Sequence, residues 1–407
     1  MAERAPNEPR TERKFVWVNR SILGIGLASL FSDVGHEMAT AAMPVLLASF
    51  GASSALLGLI EGAADGLSSF AKLFSGLYSD RLRRRKPLAV AGYFVTATAM
   101  ASFALATQWW HVLLARVGGW IGRGARSPVR NVLLTEATSP ATYGRAFGLE
   151  RAMDSAGAVI GPALSVALVS LVGLRPMFLI TLIPGLLAAA AIMFLVREEV
   201  HEPAPEQTLW HGVRALPDEF RRYLIGVGIA GIGDFSKTLL ILWATQAWTP
   251  RLGLARAATL AMTFYIGYNL VYTISCYVSG LLADRFPKRW VLAIGYSVAV
   301  IPATALLLPG DSLGKFAVIF AFAGLYMGVW ETLENSTAAT LLPVSVRGLG
   351  FGVLATVNGI GDFISSAAVG VLWVFSPFWA MLLVIVSSLG GAAIIASTRP
   401  TPNAGSA

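Results

Sequence analysis

The chain contains an internal repeat. The segment GLYSDR, from Gly76 to Arg81, returns as GLLADR, from Gly280 to Arg285, 204 residues later (280 − 76) in a chain of 407. Further identical residues keep this offset: Gly24 with Gly228, Phe31-Ser32 with Phe235-Ser236, Asn131 with Asn335, Phe147-Gly148 with Phe351-Gly352, and Gly157 with Gly361. The chain is therefore predicted to fold as two related halves.

The composition places both halves in a lipid bilayer. Hydrophobic residues make up 55% of the chain and charged residues 13%, whereas about a quarter of the residues in soluble domains are charged. A membrane-spanning helix needs about 20 predominantly apolar residues. We predict twelve such spans, at 21–49, 53–78, 87–106, 109–135, 146–170, 176–196, 222–248, 257–282, 290–308, 313–340, 349–375 and 377–397. The predicted fold is an all-α integral membrane protein, with twelve transmembrane helices in two six-helix pseudo-symmetric bundles around a central cavity.

Polar stretches divide the chain into five regions. We predict a cytoplasmic N-terminal tail (1–20), a first bundle (21–196), a cytoplasmic linker (197–221), a second bundle (222–397) and a cytoplasmic C-terminal tail (398–407). The regions outside the membrane are too short to hold an enzyme domain. A two-fold repeat in a membrane protein is instead typical of transporters, whose halves rock about a central site.

Basic residues mark one side of the predicted membrane protein. The net charge is +8, and the positive side chains concentrate in the N-terminal tail and after spans 2 and 8, at Arg4, Arg10, Arg13, Lys14, Arg20, Arg81, Arg83, Arg84, Arg85, Lys86, Arg285, Lys288 and Arg289. Loops rich in lysine and arginine stay in the cytoplasm. Both termini are therefore predicted to be cytoplasmic, in a multi-pass protein of the plasma (inner) membrane. This placement explains the charge without a nucleic-acid partner.

Two kinds of chemistry are not expected. Cys276 is the single cysteine, so the sequence predicts neither a disulfide nor a thiolate metal cluster. The segment GDSLGKF, from Gly310 to Phe316, has too few residues between its glycines for a nucleotide-binding loop, and phenylalanine stands where that loop requires serine or threonine. We therefore expect no cofactor, no ATP hydrolysis and no enzymatic activity.

The repeated segment resembles a motif of the major facilitator superfamily. That family carries a Gly-x-x-x-Asp-Arg frame with further basic residues in the loop after span 2, and Arg83 and Pro287 stand here where the family usually has glycine. The resemblance extends over about residues 20–397. It implies that Asp80 faces the positive N-terminus of span 11, near Gly348, and closes the cytoplasmic side. The implied gating residues are Gly76, Asp80, Arg81, Gly280, Asp284 and Arg285. The alternative is that they only anchor the topology.

A second motif of the same superfamily occurs in span 5. Gly157, Gly161 and Pro162 fit the pattern Gly-x-x-x-Gly-Pro, which the resemblance associates with exporters that work by antiport. Small residues four positions apart also let two helices pack closely. The motif therefore indicates antiport, close helix packing, or both.

Several predicted spans contain ionisable residues. Such a side chain at the centre of a bilayer costs about 2.5–3.5 kcal/mol, so each one needs a partner and points to function. Helical spacing places them on shared faces: Asp33, His36 and Glu37 in span 1, Arg116, Arg123 and Arg130 beside Arg126 in span 4, Asp234 and Lys237 in span 7, and Glu331, Glu334 and Asn335 in span 10. The resemblance implies that these four spans line one cavity. The predicted substrate and proton-coupling residues are Asp33, His36, Glu37, Arg123, Arg126, Asp234, Lys237, Glu331, Glu334 and Asn335.

The repeat also suggests how these charges pair. Glu334 occupies the position of Arg130 in the other half (334 − 204), so opposite charges are expected to pair across the central axis. A carboxylate beside a moving cation changes its proton affinity and can couple proton flow to transport. The first choice is a carboxylate of span 1 with an arginine of span 4, and the second is a carboxylate of span 10 with Lys237. His36 is a candidate relay. The alternative is that the charges only hold the helices together.

The leading hypothesis is a secondary transporter that exports a small polar, ionic or metal/metalloid solute in exchange for protons, as efflux and resistance proteins do. Its expected partners are this solute, protons and the lipid bilayer, and we expect a monomer. Carboxylates with His36 would favour a divalent cation, whereas the arginine stripe would favour an oxyanion or organic phosphate, so any metal site stays unknown. The alternatives are proton-symport uptake of a small anion or metal ion, multidrug efflux, and a non-transporting membrane receptor or scaffold.

Overall fold

A computed structural model describes residues 17–51, 54–198, 200, 202–203, 209–234 and 237–399. Within these ranges the regular secondary structure is helical. The predictions for the N-terminal tail before residue 17 and for the C-terminal tail after residue 399 lie outside the described residues.

The first half consists of six spans whose bounds lie within a few residues of the predicted ones. They are α1 (Arg20–Ser49), α2 (Ser54–Asp80), α3 (Lys86–Ala101) with a 3-10 turn (Ser102–Leu105), α4 (Trp109–Glu136), α5 (Tyr143–Val172), and a sixth span made of α6 (Leu174–Ile180) and α7 (Leu182–Leu195). The side chain of Asn19 caps α1, because it accepts hydrogen bonds from the backbone N–H groups of Ser21 (2.9 Å) and Ile22 (3.0 Å).

The second half repeats this arrangement after a short linker helix, α8 (Leu209–Arg214). Its six spans are α9 (Asp218–Gly231) with α10 (Lys237–Leu252), α11 (Leu254–Arg285), α12 (Lys288–Ser297) with α13 (Val300–Leu307), α14 (Leu313–Leu341), α15 (Arg347–Phe375) and α16 (Pro377–Ser397). Eight of the described helical stretches are long and apolar enough to cross a membrane. The remaining four spans are α1, α2, α4 and the pair α9 and α10, and each of them carries charged residues along its length.

The seventh span is interrupted in the middle. α9 ends at Gly231, and the described residues that follow it, Ile232, Gly233 and Asp234, are not helical. α10 begins at Lys237. Irregular backbone at membrane depth is tolerated where protein buries it or where it lines a cavity. Asp234 therefore lies where the α-helical hydrogen bonds of the span are interrupted.

The glycines of the span 5 motif pack α5 against α1. A Cβ atom at Gly157 would lie 2.5 Å from the carbonyl oxygen of Leu30, and one at Gly161 would lie 2.8 Å from the Cβ of Glu37. A side chain at either position would push the two helices apart. The close packing that the sequence offered as one explanation of this motif is therefore present.

The two halves meet most closely at the membrane face where α2 and α11 end, which we call the motif side. Gly76 of α2 packs against Gly348 of α15, and Gly280 of α11 packs against Gly144 of α5, so closely in both cases that no Cβ would fit. The offset of 204 residues relates Gly76 to Gly280, and it also relates Gly144 to Gly348. The repeat is therefore expressed as two matching contacts between the halves.

A buried apolar cluster on the motif side joins both halves. The rings of Phe147 in α5 and Phe351 in α15, which are equivalent by the repeat, lie 6.1 Å apart between centroids. Burial of aromatic surface between the halves stabilises this closed arrangement.

Candidate functional site

Two aspartates cap helices of the opposite half on the motif side. Asp80, the last residue of α2, accepts hydrogen bonds from the backbone N–H groups of Gly348 and its neighbour at the start of α15 (2.9 and 2.8 Å). Asp284 in α11 accepts from the N–H groups of Gly144 (2.8 Å) and Arg145 (3.1 Å) at the start of α5, and from the Arg145 side chain (2.7 Å). Free N–H groups and the helix dipole favour a carboxylate at a helix N-terminus. The contact expected for Asp80 is present, and Asp284 makes the equivalent contact in the other half of the repeat.

Asp80 pairs with a cation that lies beyond the motif frame. Arg85, which the sequence analysis did not single out for the gate, lies 3.5 Å from Asp80 and also pairs with Glu136. Arg81 directly follows the end of α2, and Arg285 ends α11 in an exposed position. Arg85 therefore links the end of α2 to the end of α4.

The predicted pair between spans 1 and 4 is formed by Asp33 and Arg123. The Nη1 atom of Arg123 lies 2.7 Å from a carboxylate oxygen of the buried Asp33. Arg126 takes a different partner, since it donates to the hydroxyl of Ser32 (2.8 Å) and its guanidinium lies 4.0 Å above the ring of Tyr93. Of the two predicted arginines of span 4, Arg123 is thus the one positioned to act with Asp33.

The other two predicted residues of span 1 are placed differently. His36 is buried with its ring 5.1 Å edge-on to Trp120, and its Nδ1 atom has no hydrogen-bond partner among the described residues. Glu37 is half-buried where α1 packs on Gly161. His36 therefore packs against Trp120 in the first half. No hydrogen bond of its Nδ1 atom links it to a second titratable group among the described residues.

The opposite charges at the equivalent positions Arg130 and Glu334 do not pair with each other across the central axis. Arg130 lies 2.8 Å from Glu150 and 3.7 Å from Asp154, and it donates to Ser29 (2.9 Å), all within its own half. Glu334 accepts hydrogen bonds from side chains of α12 and α15 in the second half. Each group finds a partner on a helix adjacent to its own, so neither has to reach across the axis.

One ion pair does connect the halves in the interior. Arg151 of α5 lies 3.5 Å from Asp154 and 3.9 Å from Glu331 of α14. Glu331 also accepts a hydrogen bond from the hydroxyl of Tyr272. The predicted residue Asn335, one turn from Glu331, bonds to Asn131 of the first half. The span 10 residues are therefore tied to the first half through α4 and α5.

A cavity of about 890 Å³ lies beyond these contacts, away from the motif side. Its ionisable lining residues are Asp65 and Lys72 of α2, Asp234 at the break in the seventh span, Glu331 of α14 and Asp362 of α15. On the motif side α2 and α15 close against each other, where a Cβ at Gly352 would lie 2.8 Å from the Lys72 carbonyl oxygen. The cavity is therefore bounded by both halves and lies mainly in the second.

The predicted cavity residues divide between two places. Asp234 and Glu331 line the large cavity, and Glu334 borders an adjoining void of about 10 Å³, enough for about one water molecule. The predicted residues of spans 1 and 4 form the buried network of the first half and are not among the lining residues. The side chain of Lys237 lies outside the described residues.

Three lining residues were missed by the sequence analysis: Asp65, Lys72 and Asp362. A signal for two of them exists, because Asp65 and Lys72 are seven residues apart in a predicted span and therefore share one helix face. Spans 2 and 11 contribute both the motif-side contact and part of the cavity lining. The charges of these two spans thus contribute to the candidate site.

A metal centre finds no support in the part of the chain that the structure describes. Within it, no three His, Cys, Asp or Glu side chains are grouped so that they could hold a metal ion. His36, the predicted nitrogen ligand, packs against Trp120 in the first half. The carboxylates of the cavity lie without an imidazole or thiolate partner that would suit a transition metal.

Comparisons with known proteins agree with this architecture. A relative from Methanocaldococcus jannaschii, described as an uncharacterized MFS-type transporter, is 27% identical over 380 residues, which cover 91% of this chain and 94% of that protein. The multidrug resistance protein MdtH of Photorhabdus laumondii is 38% identical over 107 residues, 25% of this chain and 26% of that protein. The crystal structure of the fucose:proton symporter FucP of E. coli superposes with a TM-score of 0.77 at 16% identity, covering 94% of this chain and all of that one (100%).

The family assignment rests on most of the chain. The sequence profile of the Major Facilitator Superfamily matches residues 25–366, which include both copies of the repeated motif and both halves of the fold. The arrangement of the twelve helical spans agrees with the fold of FucP. This chain is a multi-pass membrane protein that belongs to the Major Facilitator Superfamily.

Proposed function

We propose that this protein is a secondary active transporter that exports a small polar or ionic solute from the cytoplasm in exchange for protons, by alternating access of its two halves. The observation that carries the proposal is the pair of matched helix-end contacts, at Asp80 and Asp284, which close one end of a charged cavity. Such contacts form when the halves rock together on the motif side and break when they rock apart.

The direction of opening follows from the charge distribution. Loops rich in arginine and lysine remain in the cytoplasm, and the motif side carries the basic segments after α2 and α11. The cavity described here is then closed to the cytoplasm. Export requires the opposite state as well, in which Asp80 and Asp284 leave the N-termini of α15 and α5.

Two ion pairs are suited to couple this motion to protons. Asp33 and Arg123 are paired inside the first half, and Glu331 is held by Arg151 from the other half. The second pair changes its geometry when the halves move, and a carboxylate that gains or loses an arginine partner changes its proton affinity. We infer that protons bind at one or both pairs during the cycle.

Antiport is favoured over symport by two features of the sequence. The Gly157-x-x-x-Gly161-Pro162 motif is associated with exporters in this family, and MdtH, a multidrug resistance protein, shares a quarter (25%) of the chain at 38% identity. Proton-symport uptake would use the same residues and is the second candidate. A receptor or scaffold does not require buried charges for its function, and each buried charge costs free energy in a membrane.

The proposal is tested with the purified full-length protein in liposomes that contain a pH-sensitive dye. A panel of organic cations, divalent cations, metalloid oxyanions and organic phosphates is added, and both solute flux and proton flux are recorded. We expect solute and protons to move in opposite directions, and this coupling to disappear in Asp33→Asn and Arg123→Ala. Asp218→Asn serves as the control, because Asp218 is almost fully exposed in the linker region (95%).

Other outcomes would redirect the assignment. Movement of solute and protons in the same direction would establish symport. Solute flux without proton movement would mean a facilitator or another coupling ion, and the Asp33–Arg123 pair would then be structural. A protein that moves no member of the panel, although it binds one, would support the receptor alternative.

A further inference from the structure

We propose that the large cavity binds an organic cation, a protonated amine or quaternary ammonium that carries an aromatic or other apolar body. The inference rests on the proposed function, because it names the chemical class of the solute that this cavity would transport. It is carried by the charges that line the cavity, by its aromatic walls, and by the positions of the arginines.

The charge of the lining favours a cation. Among the described lining residues, four carboxylates, those of Asp65, Asp234, Glu331 and Asp362, face the ammonium group of Lys72. Only Glu331 has a recorded ion pair within 4 Å among the described residues, with Arg151 at 3.9 Å. Charged groups flanked by lipid and protein require counter-charges. A positively charged solute would supply the counter-charge that the cavity lacks.

The walls of the cavity favour an apolar body on that cation. Tyr268, Tyr326 and Trp330 line it, and all three are at least nine-tenths buried. The Tyr326 hydroxyl and the Trp330 indole N–H have no hydrogen-bond partner in the described part of the chain. A cation above a tyrosine or tryptophan ring is attracted by the ring quadrupole. Buried aromatic rings beside carboxylates thus suit a cation with an apolar surface better than a hydrated inorganic ion.

The size of the cavity agrees with this class of ligand. About 890 Å³ lies in the range of pockets that hold drug-sized molecules. A bare divalent ion would need converging ligands at bonding distance, whereas the described residues contain no such group. The cavity therefore has the volume for a molecule and lacks the ligand cluster for a metal ion.

The arginine stripe, which would favour an oxyanion, does not serve this cavity. Each of three stripe arginines has a carboxylate partner inside the first half, and none is among the lining residues. The pairs are Arg116 with Glu61 at 2.9 Å, Arg123 with Asp33 at 2.7 Å, and Arg130 with Glu150 at 2.8 Å. An anion in the cavity would meet one lysine and four carboxylates, so the structure favours a cation over an oxyanion or organic phosphate.

The test measures binding to the full-length protein in detergent by titration calorimetry, which requires neither proton coupling nor flux. The probes are trimethylphenylammonium, its neutral isostere tert-butylbenzene, the small cation tetramethylammonium, benzoate, inorganic phosphate and Mn²⁺. We expect saturable binding of trimethylphenylammonium, at least about tenfold tighter than that of tetramethylammonium because only the former covers the aromatic walls. The isostere, both anions and Mn²⁺ should not saturate the site.

Two variants should change the affinity for trimethylphenylammonium in opposite directions, which distinguishes a binding effect from misfolding. Lys72→Met removes the positive charge of the lysine found among the described lining residues and should tighten trimethylphenylammonium binding about tenfold, a gain that a misfolded protein cannot show. Asp362→Asn should weaken it by a similar factor, and Trp330→Leu should abolish the preference over tetramethylammonium. Asp311→Asn is the matched control, because Asp311 pairs with Arg251 outside the cavity (2.9 Å).

Saturable binding of benzoate or phosphate that Lys72→Met abolishes would overturn the proposal, and so would saturable Mn²⁺ binding without binding of any organic cation. Failure of the transport proposal is distinguishable from failure of this one. An organic cation that binds but never moves with protons would contradict the transport proposal and leave the binding site in place. Proton-coupled flux of an anion would support the transport proposal and contradict the organic-cation site.

Discussion

Asn131 of α4 donates a hydrogen bond of 2.9 Å from its Nδ2 amide to the Oδ1 atom of Asn335 in α14, the residue that the internal repeat makes its equivalent. The pseudo-two-fold axis of the molecule therefore passes between the two side chains. Asn335 also donates to the backbone carbonyl of Glu331 (3.3 Å). An amide can donate and accept at once, so two copies of one residue can bond to each other where two copies of a charged residue would repel.

Loss of either asparagine should destabilise the protein and weaken contact between the halves. Asn131→Ala and Asn335→Ala each leave a partner amide unsatisfied, which costs about 1–3 kcal/mol. The double variant should lose less than the sum of the two, with a coupling energy of about 1 kcal/mol. Apparent melting temperatures in detergent measure the cycle. Asn269→Ala is the control, because Asn269 bonds to the backbone of Tyr265 within its own helix, and additive effects at Asn131 and Asn335 would contradict the link.

Removal of a motif-side carboxylate should open that side of the protein. Asp284→Ala removes the hydrogen bonds to the N-terminus of α5, and bonds to a charged acceptor contribute about 1.5–3 kcal/mol each. The single cysteine, Cys276, reports the opening, because it is fully buried where α5, α11 and α14 meet. We expect its reaction with a maleimide to become at least about tenfold faster in the variant, as a shift of 1.4 kcal/mol would produce.

The control for this experiment is Asp218→Ala. Asp218 forms an ion pair with Arg221 at the exposed start of α9 (3.3 Å) and takes no part in the Asp284 contact. Its removal should leave the reactivity of Cys276 unchanged. Equal rates in the wild-type protein and in Asp284→Ala would show that the helix-end contact does not hold the motif side closed.

The close glycine contacts should tolerate no added methyl group. A Cβ at Gly148 of α5 would lie 2.6 Å from the carbonyl oxygen of Cys276 in α11. Overpacking of this kind costs about 1–3 kcal/mol, so Gly148→Ala should lower the apparent melting temperature. Gly118→Ala is the matched control, since nothing lies within 4 Å of the added atom, and alanine in a helix interior should be neutral or slightly stabilising. Equal effects at the two glycines would contradict the close approach of α5 and α11.

Breaking the buried network of the first half should be more damaging than breaking a surface pair. Glu150 is buried, bonds to Ser29 (2.6 Å) and lies 2.8 Å from Arg130. Glu150→Gln leaves the arginine with less compensation, which costs about 3–5 kcal/mol in a buried pair. Thermal unfolding and the yield of folded protein check this prediction. Asp218→Asn, in an exposed pair, should change stability by about 1 kcal/mol or less, and similar losses in both variants would argue against a buried network.

The repeat and the apolar segments were sufficient to predict twelve spans in two halves. The physical reason is that lipid offers backbone groups no hydrogen-bond partners, so each crossing segment becomes a helix whose length the bilayer sets. The resemblance to the Major Facilitator Superfamily also implied the Asp80 contact with the start of α15, and the attraction between a carboxylate and the free N–H groups of a helix end explains why it forms. These features depend on local composition and on a motif with a fixed spacing.

The partners of the charges and the position of the cavity were decided only by the tertiary structure. Arg130 pairs with Glu150 in its own half and not with Glu334, because side-chain pairing depends on how each helix is rotated and which helices pack beside it. The cavity includes Asp65 and Asp362 because the packing of α2 and α15 leaves both residues on its wall. Hydropathy fixes that a helix crosses the membrane, whereas only close packing of neighbouring helices fixes which face each helix presents and where space remains.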